Sequence, residues 1–311
     1  MLFRFGSAKI GETILLPNFF LNFLKISVFV GKITRLHLSK IRIMSAFLNK
    51  VVVITGGSEG IGRALVDIFL AQGAKVATCS RNFDKLYQLQ SANPGKTLLT
   101  KTADISKEQD CKMFIAAVIR TYGTIDVLIN NAGISMRALF EEVELDTMRK
   151  VMDTNYWGTV YCTQLALPHI VKNKGTIVAV SSIAGYRGLP GRAGYSASKF
   201  AIQGFMEGLR TELLNQGVNV MWVCPGFTAS NIRNAALTAD GSAQGFTPLE
   251  ENKLMSAEAC AQITLKAILK RKRTLIYTWE DKRTVWLNKI WPSIADFLVR
   301  KYFFKNNQLV K

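Results

Sequence analysis

The segment from residue 50 to residue 73 constrains the fold of this chain most, because it reads as a buried strand, a glycine turn and a helix in direct succession. Residues 50–55 form a short β-branched apolar run, which is typical of a parallel strand buried on both faces. The turn that follows contains Gly56, Gly60 and Gly62. Small residues let the backbone approach a ligand there, and the free amides that open the next helix favour negative charge. A turn that needs glycine only for its dihedral angles would look the same, so the flanking strand and helix carry the prediction of a nucleotide phosphate site.

Strand-like runs continue to alternate with helical patterns along the chain, which predicts an α/β fold. We expect a single-domain Rossmann fold, a doubly wound parallel sheet of about seven strands with helices on both faces. The predicted domain covers residues 44–270, since no Pro/Ser-rich linker divides it. The other predicted strands span residues 75–80, 97–102, 125–129, 176–180 and 219–224.

The second predicted strand ends in Ser80 and Arg81, where a unit of this kind contacts the ribose of a dinucleotide. An acidic residue would suit the 2′-hydroxyl of NAD, whereas the cationic fork of Arg81 suits the 2′-phosphate of NADP. An ordinary exposed loop arginine is the plain alternative. Glu59 in the glycine turn would repel that phosphate unless it turned outward. The sequence therefore favours NADP(H) over NAD(H).

The third and fourth predicted strands end in polar or small residues. Asp104 follows the third strand, where a carboxylate suits either an adenine amino group or the N-cap of the next helix. After the fourth strand come Asn131, Ala132 and Gly133. Small residues permit close approach to a cofactor, and an amide can fix neighbouring strands by hydrogen bonds.

Tyr195 and Lys199 lie one helical turn apart, and Ser182 lies thirteen residues before the tyrosine. An ammonium group close to a phenol favours the phenolate, so the pair can move a proton near neutral pH. Two unrelated side chains on a solvated helix face would have the same spacing. Because the fifth and sixth strands deliver Ser182 and Pro225-Gly226 to one sheet edge, we expect these groups to meet in one crevice.

In order and separation these motifs resemble the short-chain dehydrogenase/reductase family over about residues 46–270. The resemblance implies an oxidoreductase that interconverts a carbonyl and an alcohol with a nicotinamide cofactor. The loop at residues 234–242 is similar to a branch of the family found at membranes and associated with lipid-like or steroid-like carbonyls. The motifs that carry the resemblance are Thr55-Gly56-x-x-x-Gly60-Ile61-Gly62, Asn130-Asn131-Ala132-Gly133, Asn155, Ser182, Tyr195-x-x-x-Lys199 and Pro225-Gly226.

The resemblance also implies a role for each site residue. Tyr195 is the general acid that protonates the carbonyl oxygen, and Ser182 is the second donor to it, with Ser181 as its neighbouring alternative. Lys199 holds the nicotinamide ribose and lowers the pKa of the tyrosine. Asn155 binds a water that links Lys199 to solvent. The implied cofactor contacts are Gly56, Ser58, Gly60, Ile61, Gly62, Ser80, Arg81, Asp104, Asn131, Ala132, Gly133, Tyr195, Lys199, Pro225, Gly226 and Thr228.

The loop at residues 227–250 is expected to cover the crevice and set substrate specificity. Thr228 at its start matches a family position that binds the nicotinamide carboxamide, and a simple turn threonine is the alternative. The sequence contains no cationic cluster here that demands a phosphate or carboxylate substrate. An apolar ketone or aldehyde, or the matching alcohol, is therefore the expected substrate.

The net charge of +18 is concentrated at the two ends of the chain. Residues 1–43 carry +6 and residues 266–311 carry +9, which leaves +3 for residues 44–265. Both ends mix positive charge with large apolar residues, which is typical of membrane-surface binding and not of nucleic-acid binding. Residues 271–311 form a basic amphipathic extension with two interpretations, a lid or dimer contact on the body or an interfacial membrane helix. Pro292 predicts two short helices or a kink there.

Residues 1–43 are expected to be an over-long start before Met44 or a disordered appendage, with a membrane anchor as the second hypothesis. Five cysteines without a close pair are typical of small buried residues in a reducing compartment. We therefore expect a cytoplasmic protein, with peripheral contact at a membrane surface if its basic ends bind lipid. The two histidines are too far apart to suggest a metal site.

The family resemblance implies a homodimer or homotetramer that acts on a small molecule. A non-catalytic NADP-binding scaffold and a membrane interaction protein are the alternatives from other classes. The complete set of Asn155, Ser182, Tyr195 and Lys199 argues against the scaffold, because a chain without turnover is free to lose one of them. Vesicle flotation of the full chain against residues 44–270 would distinguish the membrane interaction protein.

Overall fold

The computed structural model describes residues 46–250 and 254–310. These residues form a doubly wound α/β fold around one parallel sheet of seven strands, in the order β3-β2-β1-β4-β5-β6-β7. The predicted Rossmann fold is confirmed. The strands are β1 (Val51–Thr55), β2 (Lys75–Ser80), β3 (Leu98–Thr102), β4 (Val127–Asn130), β5 (Thr176–Val180), β6 (Asn219–Cys224) and β7 (Thr274–Ile276).

Helices connect the successive strands of this sheet. The first, α1, begins at Gly60 inside the glycine turn, three residues earlier than the apolar pattern alone suggests, because glycines 60 and 62 join its first turn. The helices of the sheet domain are α1 (Gly60–Ala71), α2 (Phe83–Ser91), α3 (Glu108–Tyr122), α4 (Leu145–Met152), α5 (Gly158–Lys172), α6 (Ala193–Glu212) and α7 (Ala257–Leu269).

The central strands are buried on both faces, as their continuous apolar runs predict. Every residue of β1, β4, β5 and β6 is buried, whereas the edge strand β3 is half-exposed. Strand β1 pairs with β2 on one side and with β4 on the other, so the chain reverses its direction of winding at this point. Ligands of open α/β sheets bind in the crevice outside the carboxyl ends at such a reversal.

The C-terminal segment continues the fold beyond residue 270. Strand β7 pairs with β6 in the sheet, although the sequence places the domain boundary before it. Two helices follow, α8 (Trp279–Ile290) and α9 (Pro292–Phe303), so the break predicted at Pro292 is confirmed. A short hairpin of β8 (Phe304–Lys305) and β9 (Gln308–Leu309) ends the described chain.

The C-terminal helices pack on the sheet domain. Arg187 forms an ion pair with Asp296 of α9 and donates a hydrogen bond to Asn288 Oδ1 of α8 at 2.9 Å. Asn288 Nδ2 in turn donates to the Tyr186 carbonyl at 2.9 Å. Of the two interpretations of this segment, contact with the body is therefore observed, while the outer face of both helices is left exposed.

The predictions made for residues 1–43 lie outside the described residues. Within the described part, no helix is both long and apolar enough to cross a membrane. All five cysteines are buried and unpaired, as expected from their spacing.

Candidate active site

The turn between β1 and α1 forms a cradle that only glycine can build. Gly56 and Gly60 have φ values of 69° and 56°, in the left-handed region that disfavours side chains. A Cβ on Gly62 would lie 2.0 Å from the Gly56 carbonyl oxygen. The backbone amides of this turn and of the first turn of α1 are thus left open to a ligand, which fits a dinucleotide pyrophosphate.

Hydrogen bonds connect the residues that follow β4 to the end of β1. Asn131 Nδ2 donates to the carbonyl oxygens of Thr55 and Gly56 at 3.0 and 3.1 Å. The Thr55 hydroxyl accepts from the backbone amides of Asn131 and Ala132, both at 3.0 Å. A Cβ on Gly133 would lie 3.0 Å from Asn155 Oδ1 and 3.4 Å from Lys199 Nζ. The small residues predicted here therefore bring the glycine turn close to the reactive lysine.

The ribose end of the crevice is formed by the ends of β1 and β2. The Ser58 hydroxyl donates to Ser80 Oγ at 2.9 Å, and Arg81 is exposed while it lines the same cavity. Glu59 forms an ion pair of 2.6 Å with Lys85. The expected repulsion from Glu59 is therefore reduced, because a cation of α2 already holds this carboxylate.

Asp104 lines the cavity beyond the end of β3, but it does not cap the next helix. The N-cap of α3 is Lys107. Asp104 Oδ1 instead accepts from the amide and hydroxyl of Ser106, at 3.1 and 2.8 Å. The N-cap interpretation is wrong, because a turn of three residues separates this aspartate from the helix.

Tyr195 and Lys199 are buried in the first turns of α6, with exposed fractions of 8% and 3%. Lys199 Nζ donates to the Val180 carbonyl at 2.9 Å and lies 5.5 Å from the centre of the tyrosine ring. Burial raises the pKa of the Tyr195 phenol, and the Ser182 hydroxyl and the charge of Arg192 oppose this with smaller effects. Burial also lowers the pKa of Lys199 to about 8. The net shift of the Tyr195 pKa is upward because desolvation favours the neutral phenol, and the lowering expected from Lys199 stays a prediction.

Of the two adjacent serines after β5, Ser182 is the one that acts on the tyrosine. Its hydroxyl lowers the pKa of Tyr195, and it also accepts from the Ala184 amide at 3.2 Å. Ser181 is engaged in the protein interior, where its hydroxyl donates to the Lys199 carbonyl at 3.2 Å and accepts from Gln203 Nε2 at 3.0 Å. The interior contacts of Ser181 support the choice of Ser182 as the donor residue.

Asn155 lies in a π-helical turn, Asp153–Trp157, that joins α4 to α5. Its Oδ1 accepts from the Ile134 amide at 2.8 Å, and its Nδ2 donates to the Ile134 carbonyl and to Ser198 Oγ, both at 2.9 Å. The side chain is fully buried and does not line the cavity. These contacts fix the loop after β4 against α6, and the water-binding role stays a prediction.

Gly226 lies beneath the start of α8. A Cβ at this position would lie 2.6 Å from an Asp281 carboxylate oxygen. Asp281 belongs to a capping box with Thr278 that fixes the N-terminus of α8. Thr228 is buried, and its hydroxyl lies 3.3 Å from the Gly226 carbonyl and 3.4 Å from Cys260 Sγ. The C-terminal segment thus reaches across the carboxyl end of β6.

A cavity of about 700 Å³ joins these groups. Every predicted catalytic or cofactor-binding residue lines it except Asn155. The cavity is also lined by several arginines that the sequence did not single out, and by residues of the C-terminal helices, for which a lid was one of two interpretations. These cavity-lining residues are Arg187, Arg192, Arg233, Asp281, Leu287, Leu298, Tyr302 and Phe303. The position of Arg192, three residues before Tyr195, could have indicated from the sequence that it lies in the active site. The residues after 270 reach the cavity only through tertiary packing, so their sequence position gives no such indication.

The chain is similar to known oxidoreductases in sequence. A family model described as short chain dehydrogenase matches residues 50–241. Dehydrogenase/reductase SDR family member 7B of Mus musculus is 38% identical over 265 residues, which cover 83% of this chain and 82% of that protein. Dehydrogenase/reductase SDR family protein 7-like of Drosophila melanogaster is 34% identical over 260 residues, which cover 81% and 80%.

Solved structures share the fold. A short chain dehydrogenase/reductase from Burkholderia phymatum, in complex with NAD, has a TM-score of 0.69 at 24% identity and covers 80% of this chain and 95% of its own. An alcohol dehydrogenase from Thermococcus sibiricus, complexed with 5-hydroxy-NADP, has a TM-score of 0.65 at 22% identity and covers 73% and 95%.

Proposed function

Because this chain belongs to the short-chain dehydrogenase/reductase family and is an oxidoreductase acting on CH–OH groups, we propose that it interconverts a carbonyl and an alcohol with NADP(H), with Tyr195 as general acid and base. One observation carries the proposal. Tyr195, Ser182 and Lys199 line the same cavity as the glycine cradle between β1 and α1. Proton donors and a dinucleotide site therefore face one volume.

The tyrosine is suited to donate a proton in the direction of reduction. Its raised pKa keeps the phenol protonated at neutral pH. Ser182 supplies a second hydroxyl aimed at the same oxygen, and two donors already in place stabilise the charge that develops there. Lys199 lies beside the tyrosine ring, where a proton on its ammonium group stabilises the phenolate left after transfer. The nicotinamide cofactor supplies the hydride.

The preference for NADP(H) rests on Arg81. It is an exposed guanidinium at the ribose end of the cavity, and the carboxylate of Glu59 nearby is held by Lys85. A planar cationic fork binds a phosphate monoester well, whereas NAD offers it only hydroxyls. The related structures include complexes of both cofactor types, so this preference is part of the proposal.

The substrate body is proposed to be apolar, of the lipid-like or steroid-like kind. The cavity that contains Tyr195 is also lined by Leu189, Leu298, Val299 and Phe303. Side chains of this kind stabilise a hydrocarbon body by removing it from water.

The function is tested with the full chain and a panel of aliphatic ketones and aldehydes, by following the oxidation of NADPH and NADH. We expect turnover with NADPH in preference to NADH, and we expect Tyr195→Phe to lower kcat by about 10²- to 10⁴-fold without loss of cofactor binding. Tyr161→Phe, which changes a tyrosine outside the cavity, is the matched control. Full activity of the Tyr195 variant would refute the mechanism, and a preference for NADH would refute the role of Arg81.

We further propose that the protein is a cytoplasmic homodimer or homotetramer that makes peripheral contact with a membrane surface. The support lies in two exposed apolar regions, one on α8 and α9 and one on α6. Each region is taken up below with the measurement that tests it.

A further inference from the structure

Two buried arginines stand at the substrate end of the cavity and have no part in the proton transfer. Arg192 and Arg233 are only 8% and 4% exposed, and both line the cavity beside Tyr195. Arginine is rarely buried unless a carboxylate or several carbonyl oxygens surround it. A buried guanidinium that faces a ligand cavity therefore needs an explanation.

Arg192 is the residue without a partner. Within residues 46–250 and 254–310 its side chain has neither an ion pair nor a hydrogen-bond acceptor, and its Nε is fully buried and unpaired. It is the N-cap residue of α6, three residues before Tyr195, and its charge acts on the tyrosine phenol. Burial lowers the pKa of this guanidinium, and the charges of Arg233 and Arg137 lower it further. An arginine nevertheless stays protonated at neutral pH, so the positive charge remains.

Arg233 adds a second charge behind the first. Its Nη2 donates to the Thr228 carbonyl at 2.8 Å and its Nε to Thr247 Oγ1 at 3.2 Å. These bonds hold the guanidinium in place while its charge acts on both Arg192 and Tyr195. A buried positive charge without an ion-pair partner, such as that of Arg192, favours an anion that enters beside it.

The carboxylates that line the cavity do not relieve this charge. Among the described lining residues they are Glu59, Asp104 and Asp281. The first is paired with Lys85, the second follows β3 at the far end of the sheet, and the third lies over Gly226. Among the described residues, Arg192 therefore places a positive charge without an ion-pair partner at the substrate end of the cavity.

We propose that Arg192 binds an anionic group, phosphate or carboxylate, on the substrate next to the carbonyl that Tyr195 protonates. The planar guanidinium fork matches either oxyanion in a bidentate geometry. Leu298 and Phe303 form an apolar wall of the cavity that would contact the uncharged part of the substrate. The proposed substrate is therefore an amphipathic anion. This inference rests on the proposed function and replaces the expectation that no cationic cluster faces the substrate.

The phosphates of the cofactor do not account for Arg192. The glycine turn and the N-terminus of α1 provide the pyrophosphate site, and Arg81 stands at the ribose end. Arg192 belongs to the helix of the tyrosine instead. Its substitution should therefore change substrate recognition and leave the affinity for NADP⁺ within about twofold, because the two sites share no side chain.

The activity test compares matched ketones that differ only in charge. One pair is 2-oxodecanoate and its methyl ester, and the other is 2-oxononyl phosphate and 1-hydroxynonan-2-one. For at least one pair we expect kcat/KM to be about tenfold or more higher for the anion, and we expect Arg192→Met to lower kcat/KM for that anion about 10- to 100-fold. The pair that shows the preference identifies the anion. Equal kcat/KM for charged and neutral members of both pairs overturns the proposal.

Arg187→Met is the control, because Arg187 lines the same cavity but is already neutralised by Asp296. We expect this variant to keep the preference for the anion. Thermal unfolding separates recognition from structure, since removal of an unpaired buried charge should raise the Tm of Arg192→Met, whereas loss of a structural arginine would lower it. A lower Tm together with an unchanged preference overturns the assignment.

Binding provides a readout that is independent of turnover. Hexyl phosphate and hexanoate, which have no carbonyl to reduce, are titrated by calorimetry into the full chain with NADP⁺ bound. We expect one of them to bind and Arg192→Met to weaken it about tenfold or more, because the charged partner is lost. If anion binding depends on Arg192 but no ketone is reduced, the proposed function is refuted and the anion site is retained. Absence of binding by both anions, or a loss of NADP⁺ affinity in the variant, overturns the anion site.

Discussion

At the scale of the residue, the reactive pair differs from two side chains on a solvated helix. Tyr195 and Lys199 are both buried, and desolvation moves both pKa values toward the neutral form. The site therefore holds a protonated phenol ready to donate, beside an amine that titrates close to physiological pH. Holding a charged lysine in such a place reduces the stability of the fold.

The lowered pKa of Lys199 predicts a pH-dependent stability. With a folded-state pKa of about 8 against 10.5 in the unfolded chain, the penalty is fully present below pH 8 and is lost as the pH rises toward 10.5. We expect Lys199→Met to raise the free energy of unfolding at pH 7 by up to about 3 kcal/mol. The gain over wild type should shrink at pH 9.5, as urea unfolding at both values would measure.

The exposed Lys96 provides the control, since Lys96→Met should change stability little and equally at both pH values. A gain in Lys199→Met that does not depend on pH would contradict the assigned pKa, and would indicate a packing effect.

At the scale of the element, the C-terminal helices have two different faces. The inner face packs on the domain and lines the cavity through Leu298 and Phe303. The outer face exposes large apolar side chains, which we call the tryptophan face, close to the exposed cations Arg300 and Lys301. The tryptophan face consists of Trp279, Trp286, Trp291, Ile294 and Phe297, which are between 49% and 70% exposed.

The tryptophan face predicts binding to anionic membranes. We expect the full chain to float with vesicles of phosphatidylcholine and phosphatidylserine, and less with phosphatidylcholine alone, because tryptophan at the interface acts together with lysine and arginine. The double variant Trp286→Gln, Phe297→Gln should reduce the bound fraction about tenfold or more, since both apolar anchors are lost.

A second pair of exposed aromatic residues, Phe83 and Tyr87 of α2, is the matched control, because both are 64% exposed and lie outside α8 and α9. Their change to glutamine should leave flotation unaltered. If the tryptophan-face variant floats as well as the wild type, the tryptophan face does not bind the membrane and this prediction is wrong.

At the scale of the whole molecule, one exposed surface of the sheet domain has the features of a contact site for a second chain. Helix α6 exposes Phe200 beside the small residues Ala197, Gly204 and Gly208. Space around both glycines is open, so a Cβ there would meet nothing within 4 Å. Glycine inside a helix costs about 1 kcal/mol relative to alanine, and close approach of a second helix would explain its presence. We infer that a second copy of the chain packs on this surface.

Gly204→Arg tests this association. We expect the wild-type chain to have the mass of a dimer or tetramer in light scattering, and the variant to shift to a smaller species because the arginine prevents close helix contact. Ala116→Arg on the exposed face of α3 should keep the wild-type mass. A wild-type chain that is monomeric at micromolar concentration would contradict the inference.

Much of the fold could be predicted, because it follows from local patterns. The strands at 75–80, 176–180 and 219–224 have the predicted bounds, since continuous apolar runs between turns leave little freedom in a parallel sheet. The π-helical turn at Asn155 could not be predicted, because its sequence has no distinguishing periodicity. The sequence places the C-terminal boundary at residue 270, before β7, because this strand is only three residues long and has no distinguishing pattern.

The sequence by itself determined the glycine cradle, the order of the strands along the chain and the spacing of Ser182, Tyr195 and Lys199, because these depend on local backbone geometry and helical periodicity. Only the tertiary structure decided the charge of the site. It buried Tyr195 and Lys199, left Arg192 without an ion-pair partner among residues 46–250 and 254–310, and brought α8 and α9 over the cavity. Burial and neighbouring charge depend on contacts between residues far apart in the chain, and these set pKa values and ligand preference.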